Sequence, residues 1–150
     1  MKIDIKKVEA NNFSAFIELV KKLAEYEKLK PPGKAAVKRL KNDSLSSKPR
    51  IESYLSYTEG REVGYMILLM TYSSFLAKPT LYIEDIFILK KNRKQGIGQK
   101  MFDFIKNLAK QRKCGRIEWT VLKWNKPAIK FYDKNKAEHM KEWLFYRLSL

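Results

Sequence analysis

The chain has 150 residues, 45% of them hydrophobic and 13% aromatic, and a formal net charge of +16. This length suits one domain, and the apolar content is high enough to exclude a disordered chain. The longest apolar runs, such as Met66–Met70, are far too short to span a bilayer, and the first residues lack the apolar block of a signal peptide. We therefore expect a single domain over residues 1–150 that does not enter a membrane.

The scarcity of cysteine and histidine limits the chemistry open to this chain. Cys114 is the one cysteine and His139 the one histidine. No internal disulfide can therefore form, and a zinc site of the usual kind cannot be built. A chain without disulfides fits a reducing compartment, so we expect a cytoplasmic protein with no metal.

The positive charge is the strongest feature of the composition. It favours anionic partners such as nucleic acid, an acidic membrane surface or a phosphate-rich cofactor. The lysines are spread between apolar positions along the whole chain, as on a solvated surface, and do not form the block of a basic arm. We expect a basic surface without a nucleic-acid role. A basic nucleic-acid-binding domain without catalysis is the alternative from another class of function.

The beginning of the chain predicts a strand and a helix. Lys2–Val8 alternates polar and apolar residues, which is typical of a strand. Asn11 and Asn12 are expected to cap a helix, and Pro31-Pro32-Gly33 is expected to end it. The apolar face of that helix has helical spacing and consists of Phe13, Phe16, Ile17, Val20, Leu23 and Ala24.

The middle of the chain predicts a short helix and an antiparallel hairpin. The helix runs through Val37 and Leu40. Ile51–Thr58 and Val63–Tyr72 then read as two strands, and Glu59-Gly60 between them is a turn.

The remaining elements alternate between strands and helices. Leu81–Leu89 is apolar on both faces, as expected of a central strand. A helix over Gly98–Lys113, a strand over Arg116–Leu122 and a short helix over Pro127–Asn135 follow, and Trp143–Leu148 is the final predicted strand. This order predicts an α/β (α+β) fold, a mixed sheet with helices packed on it.

Two adjacent acids, Glu84 and Asp85, interrupt the central strand. Adjacent strand residues face opposite sides, so at least one carboxylate should point at packed protein or into a cavity. Burying a carboxylate without a partner costs several kcal/mol. Either the pair has a function or one acid forms a salt bridge with a lysine; both interpretations stay open.

The turn after this strand reads Arg93-Lys94-Gln95-Gly96-Ile97-Gly98. Glycines between a strand and a helix let the backbone approach a ligand with its N–H groups. The helix dipole stabilises each bound anionic group by about 0.3 to 1 kcal/mol. Arg93 and Lys94 are expected to add charge-assisted donors to phosphate. A plain turn is the alternative.

Residues 124–132 contain a helix start and a tyrosine. Asn125 can cap a helix that Pro127 begins, which explains both residues structurally. Tyr132 lies on that helix, where core packing is the ordinary role of a tyrosine. A phenol with a pKa of about 10 could also protonate a thiolate leaving group, because a thiol has a pKa of about 8.5.

Taken in order, these motifs resemble the GNAT superfamily (GCN5-related N-acetyltransferases), in which Arg93-x-x-Gly96-x-Gly98 matches the coenzyme A loop. Within it the chain is similar to the spermidine/spermine and diamine N-acetyltransferases. The matching stretches are Leu23-Ala24-x-Tyr26-Glu27, Glu84-Asp85-Ile86-Phe87-Ile88, Gly96-Ile97-Gly98 and Trp124-Asn125-x-Pro127-x-Ile129-x-Phe131-Tyr132. The resemblance covers essentially the whole chain. It implies a mostly antiparallel mixed sheet with helices on both faces and strands that splay apart at the acetyl-CoA site.

The resemblance also implies an activity. We expect direct acetyl transfer from acetyl-CoA to a primary amine of a polyamine, a diamine or a lysine-like small molecule, carried out by a homodimer. Lysine side chains or N-terminal amines of proteins are the alternative acceptors. The net positive charge would repel a polycation unless the cleft is locally acidic.

The residues that the resemblance assigns fall into three groups. Cofactor binding is expected from the backbone of Ile86, Phe87 and Ile88, from Arg93, Lys94, Gln95, Gly96, Ile97, Gly98 and Gln99, and from Asn125, Lys126, Pro127 and Ala128. The acceptor amine is expected to contact Tyr26, Glu27, Glu84, Glu118, Trp119 and Thr120. Tyr132 would be the general acid toward the coenzyme A thiolate, and Glu84 the base, directly or through a water.

One departure from the family concerns the end of the Tyr132 helix. The family usually has a glycine there, whereas this chain reads Lys134-Asn135-Lys136-Ala137. Asparagine tolerates the left-handed conformation better than most residues, so we expect Asn135 to make the turn.

Overall fold

A computed structural model describes the whole chain, Met1–Leu150. It divides into two compact units, Met1–Trp119 and Thr120–Leu150. None of its helices combines the length and the hydropathy needed to cross a bilayer.

The first unit is built on one five-stranded sheet with the strand order β1-β2-β3-β4-β5. The strands are β1 (Ile3–Lys7), β2 (Glu52–Thr58), β3 (Arg61–Ser73), β4 (Lys78–Ile88) and β5 (Arg116–Trp119). The first four strands pair antiparallel, and β5 runs parallel to β4. The predicted mixed, mostly antiparallel sheet is therefore confirmed.

Three helices complete the first unit, and one helix lies in the second. They are α1 (Phe13–Glu27), α2 (Lys34–Leu45) and α3 (Ile97–Gln111), followed by α4 (Lys126–Lys134). A 3₁₀ turn at Lys90–Asn92 joins β4 to the loop before α3.

Helices α1 and α3 lie on opposite faces of the sheet. Phe16 of α1 packs edge-on against Tyr65 of β3, with 5.4 Å between ring centroids. Phe104 of α3 packs against Tyr54 of β2 at 5.0 Å, and Tyr54 pairs with Met66, the neighbour of Tyr65. Because adjacent strand residues point to opposite faces, the two contacts place the two helices on opposite sides.

The core on the α1 face follows the apolar spacing of the sequence. Phe13, Phe16 and Ile17 of the predicted helix face are buried, and they belong to one cluster with Leu55 and Tyr65. Burying each such side chain contributes about 1.5 to 3 kcal/mol. This packing fixes α1 on the sheet.

Both ends of α1 differ from expectation. Asn12 makes no side-chain bond to the helix; its Oδ1 accepts from the Glu9 N–H at 2.7 Å and its Nδ2 donates to the Tyr57 hydroxyl at 3.3 Å. It therefore closes the turn before the helix instead of capping it. The helix ends at Glu27 because Lys28 adopts a left-handed conformation (φ 58°), ahead of the predicted stop at the prolines.

The predicted strand at Trp143–Leu148 is wrong. Residues 143–150 form no helix or strand, and the side chains of Trp143 and Tyr146 are 73% and 83% exposed. The residue pattern favours an extended chain, but a strand also needs a hydrogen-bonded neighbour. The sheet of this chain ends at β5 without including these residues.

Candidate active site

The sheet opens along the second half of β4. Thr80–Ile83 pair with Arg116–Trp119 of β5, and β5 ends opposite Ile83. Beyond that point, Asp85–Ile88 have β3 as their one strand partner. Backbone groups on the other edge of β4 are therefore turned toward the side where β5 has ended.

A β-bulge lies at the same place. Ile67 of β3 pairs with Asp85 and Leu68 pairs with Ile83, so Glu84 is an extra residue between them. Bulges bend a strand and re-aim its side chains, and they are common next to active sites. Here the bulge leaves Glu84 exposed, whereas Asp85 is partly buried.

Asp85 is the more buried carboxylate of this pair, as the sequence predicted for at least one of the two. Its Oδ2 accepts a hydrogen bond of 2.9 Å from the Tyr65 hydroxyl, so its partner is a phenol and not a lysine. Burial raises the pKa of Asp85 to about 6; the Tyr65 bond opposes that rise, and the charges of Glu84 and Glu27 add to it. The same surroundings raise the pKa of Tyr65, mainly by burial, so this phenol stays protonated.

Three carboxylates make this region locally acidic. Glu27, at the end of α1, has a pKa raised by burial, and its charge and that of Glu84 both act on Asp85. The three acids do not converge as a metal-binding group. In a chain with a net charge of +16, such an acidic region attracts a small cation that the rest of the surface would repel.

Arg93 belongs to the turn before α3, but its side chain packs against Tyr26 and Phe87, next to the acidic region. Its guanidinium lies 4.6 Å from the ring centroid of Tyr26 and 5.8 Å from that of Phe87, and its Nε donates to the Ile88 carbonyl at 3.0 Å. Cation–π contacts of this kind contribute about 0.5 to 2 kcal/mol. Arg93, which was expected to bind a phosphate, thus connects Tyr26 of α1 to the end of β4.

The turn between β4 and α3 has the backbone form that an anion site needs. Lys94 and Gly96 are both left-handed, with φ of 60° and 82°. Gly96 is the cap residue of α3 and offers no side-chain acceptor to the first-turn N–H groups. A Cβ placed on Gly96 would meet nothing within 4 Å, so this side of the turn is open and not plugged by side chains. The residues present fit a diphosphate.

The two other acceptor-site candidates of the first unit are engaged elsewhere. Glu118 forms a salt bridge of 3.0 Å with Arg116 on its own strand. The ring of Trp119 packs against Phe102 of α3 at 5.5 Å, which is the face opposite Tyr65 and Asp85. The structure therefore brings Tyr26, Glu27 and Glu84 toward one region, but not Trp119.

The second unit holds the remaining candidates on and around α4. Asn125 caps this helix as predicted, because its Oδ1 accepts from the Ala128 N–H at 3.4 Å. The Tyr132 ring lies 5.6 Å from that of Phe131. The predicted left-handed Asn135 is wrong: its φ is −83°, its Nδ2 donates to the Phe131 carbonyl at 2.9 Å, and Lys136 makes the left-handed turn instead (φ 60°).

Two open surface cavities lie away from this chemistry. One, of about 410 Å³, is lined by residues that include Val8 and Ser44, and the other, of about 540 Å³, by residues that include Tyr57 and Glu62. Neither is lined by Glu84, Asp85 or the turn before α3. The candidate site is therefore defined by the carboxylates of β4 and by the backbone of the turn before α3, and neither cavity belongs to it.

The chain matches the model of the Acetyltransferase (GNAT) family over residues 16–136. It belongs to this family. Among similar proteins, L-ornithine N5-acetyltransferase NATA1 of Arabidopsis thaliana is 40% identical over 86 residues, which cover 57% of this chain and 38% of that protein. Thialysine N-epsilon-acetyltransferase of Mus musculus is 27% identical over 156 residues, 97% of this chain and 91% of that one.

A solved structure described as a probable acetyltransferase has the same fold, with a TM-score of 0.83 at 20% identity over 100% of this chain and 98% of that chain. The family and fold predicted from the motifs are confirmed, and so is the class of enzyme, an N-acetyltransferase of the acetyl-CoA-dependent GNAT family. Sequence reasoning placed function at Glu84-Asp85 but missed the role of Tyr65. No motif marks that tyrosine, which lies within an apolar strand.

Replacing Asp85 by asparagine should stabilise the protein at alkaline pH. Asp85 binds its proton more tightly in the folded chain than in the unfolded one, so its ionisation lowers the free energy of unfolding as the pH rises from about 4 to about 6. Asparagine keeps an oxygen acceptor for Tyr65 without the charge. We expect Asp85→Asn to raise the free energy of unfolding by up to about 3 kcal/mol at pH 8 and to have little effect at pH 4.

Urea denaturation at the two pH values measures this difference. The control is Asp4→Asn, which removes an exposed carboxylate 3.5 Å from Lys2 and should change stability by less than about 0.5 kcal/mol. A loss of stability in Asp85→Asn at pH 8 would contradict the account of Asp85 as an ionised, poorly solvated group.

Proposed function

We propose that this chain transfers the acetyl group of acetyl-CoA to the primary amine of a small molecule that binds on the α1 face of β4. The observation that carries the proposal is the acidic region around Asp85 in a strongly basic chain. The names of the two relatives specify an N5 and an N-epsilon nitrogen, which favours a terminal amine of an amino-acid-like acceptor. A single catalytic domain acting as a cytoplasmic homodimer is part of the same proposal.

The charge distribution favours a short cation over a long polyamine. An ammonium group is stabilised beside Asp85, Glu27 and Glu84, and the attraction is stronger because the region is partly shielded from water. Further amines on a long polyamine would reach beyond these acids to a surface with a large excess of lysine and arginine. A diamine or lysine-like acceptor is therefore preferred to spermine-like chains.

An acceptor ammonium must lose a proton before its nitrogen can attack a thioester. Glu84 is the proposed base because the bulge holds it exposed next to the point where pairing between β4 and β5 ends, where it can act directly or through a water. Asp85 lies next to it with its carboxylate oriented by Tyr65. With a pKa of about 6, Asp85 is ionised at neutral pH and supplies the negative charge that holds the acceptor.

Acetyl-CoA supplies the thioester, and the chain supplies its positioning. We assign the pyrophosphate to the backbone N–H groups of Lys94–Gln99, where the open Gly96 turn begins α3. Backbone groups of Ile86–Ile88 are assigned to the pantetheine arm, because β4 has no second strand partner there. Asn125–Ala128 are assigned to the cofactor, Thr120 to the acceptor site, and Tyr132 to protonation of the leaving thiolate.

A panel of amine acceptors tests the proposal. We expect acetylation of thialysine, ornithine and short diamines in preference to spermine and to basic peptides. Preferential acetylation of peptides would indicate that the natural acceptors are amines of proteins and not of small molecules. Salt-sensitive nucleic-acid binding with no acetyl transfer to any amine would favour the non-catalytic alternative.

Replacing Gly98 by aspartate should abolish binding of acetyl-CoA. The new carboxylate would lie in the first turn of α3 and repel the diphosphate from the N–H groups there. Isothermal titration at low salt measures the affinity. The matched control is Gly33→Asp at the cap of α2, where a Cβ would meet nothing within 4 Å; unchanged affinity is expected for it. Normal binding by Gly98→Asp would show that the cofactor binds elsewhere.

Replacing Tyr132 by phenylalanine should lower kcat by about 10- to 10⁴-fold without weakening acetyl-CoA binding, because the phenolic hydroxyl that would donate the proton is removed and the ring is kept. Steady-state kinetics with saturating acetyl-CoA measures this loss. Tyr72→Phe is the control, since Tyr72 lies on β3 with an exposed ring, and its kcat should match that of the unmodified protein. An unchanged kcat in Tyr132→Phe would remove this residue from the mechanism.

A further inference from the structure

Arg93 is a half-buried cation that has no acidic partner. None of the salt bridges of the chain includes it, and its one hydrogen bond runs from Nε to the Ile88 carbonyl. A guanidinium donates from Nε and from both Nη atoms, so the Nη donors remain for a ligand. A partly desolvated cation of this kind is stabilised by an anionic partner.

The contacts of Arg93 hold its guanidinium in one orientation. The cation–π contact with Tyr26, at 4.6 Å from the ring centroid, uses the face of the planar group. The bond to the Ile88 carbonyl uses the Nε edge. The Nη atoms lie in the same plane and can donate parallel hydrogen bonds to a planar anion. The side chain is therefore pre-positioned to bind a carboxylate.

The guanidinium lies on the same face of the sheet as the acidic region. It is 5.8 Å from the ring centroid of Phe87, that ring is 6.2 Å from the Tyr65 ring, and the Tyr65 hydroxyl bonds to Asp85. Asp85 and Phe87 alternate with Ile86 on β4, so their side chains point to the same side about 6.8 Å apart along the strand. A cation and a carboxylate thus share one face of the sheet without forming an ion pair.

We propose that Arg93 binds the α-carboxylate of an amino-acid acceptor whose side-chain ammonium lies beside Asp85. In ornithine and lysine, five or six single bonds of about 1.5 Å join the terminal nitrogen to the carboxylate carbon, so the extended acceptor spans about 6 to 7 Å. This span matches the spacing of residues 85 and 87 along β4. The inference rests on the proposed acetyl transfer and names its substrate class, an α-amino acid with a primary amine at the end of its side chain.

Opposite charges at the two ends of the site select an amino acid over a diamine. Putrescine is ornithine without its carboxylate, and its second ammonium has no carboxylate beside it to offset the repulsion by Arg93. The same guanidinium therefore attracts the one acceptor and repels the other, and both effects add to the difference in affinity.

Steady-state kinetics with ornithine and putrescine measures what the carboxylate contributes. We expect the unmodified protein to have the higher kcat/KM for ornithine. Arg93→Met should lower the ratio of the two kcat/KM values by about tenfold or more, because charge-assisted hydrogen bonds to the carboxylate are lost. A displaced Tyr26 or a less stable chain would affect both acceptors and cancel in the ratio. Arg93→Lys keeps the charge without the paired donors, so the ratio should fall less.

Lys91→Met is the matched control, because it removes an exposed cation from the 3₁₀ turn just before Arg93. Its ratio should equal that of the unmodified protein. Isothermal titration of acetyl-CoA separates a carboxylate from a phosphate as the ligand of Arg93. We expect Arg93→Met to keep the affinity for acetyl-CoA within about twofold.

Three results would overturn the inference while leaving acetyl transfer intact. They are a preference of the unmodified protein for putrescine, a ratio that is unchanged in both Arg93 variants, and a loss of acetyl-CoA affinity in Arg93→Met with an unchanged ratio. The last of these would assign the guanidinium to the diphosphate. Transfer to neither amine would overturn the proposed function and this inference together.

Discussion

The end of the pairing between β4 and β5 at Ile83 is the structural constraint on which the proposed chemistry depends. Within a fully paired sheet, every backbone N–H and C=O of β4 would be satisfied and the strand could hold no ligand along its edge. Here pairing with β5 stops where Glu84 forms a bulge on the other side. The edge of β4 therefore has no strand partner from β5 beyond Ile83, and the bulge gives the two adjacent acids different surroundings, since Glu84 is exposed and Asp85 is partly buried.

Stability and the proposed function oppose each other at Asp85. Its partly desolvated carboxylate lies near two further acids, which makes the ionised form costly to the folded chain. In the proposed mechanism, an acceptor ammonium bound beside Asp85 would relieve that cost, so the electrostatic energy that destabilises the folded chain would strengthen binding of the acceptor. Tyr65 keeps the carboxylate in place through a partly buried hydrogen bond. Arg93 links Tyr26 of α1 to the end of β4 and so holds the two sides of the acidic region together.

Much of the fold and part of the site could be predicted from sequence, because apolar periodicity and turn residues act locally. The spacing of Phe13, Phe16 and Ile17 and the Asn125 cap specify their helices directly. Predictions failed where a neighbour decided the outcome: Asn12 bonds to Tyr57, 45 residues away, and Trp143–Leu148 has no strand beside it. The choice between Asp85 and Glu84 as the buried acid was equally inaccessible, because it depends on a one-residue shift in register against β3.

Amide hydrogen exchange with and without acetyl-CoA tests most directly whether this opening holds the cofactor. The account predicts slower exchange in two separate stretches, residues 86–88 at the edge of β4 and residues 94–99 at the start of α3, with no change in β1, which lies at the far side of the sheet. Protection in the second stretch alone would leave β4 without a role in holding the acyl arm. Binding that leaves both stretches unchanged would contradict the account.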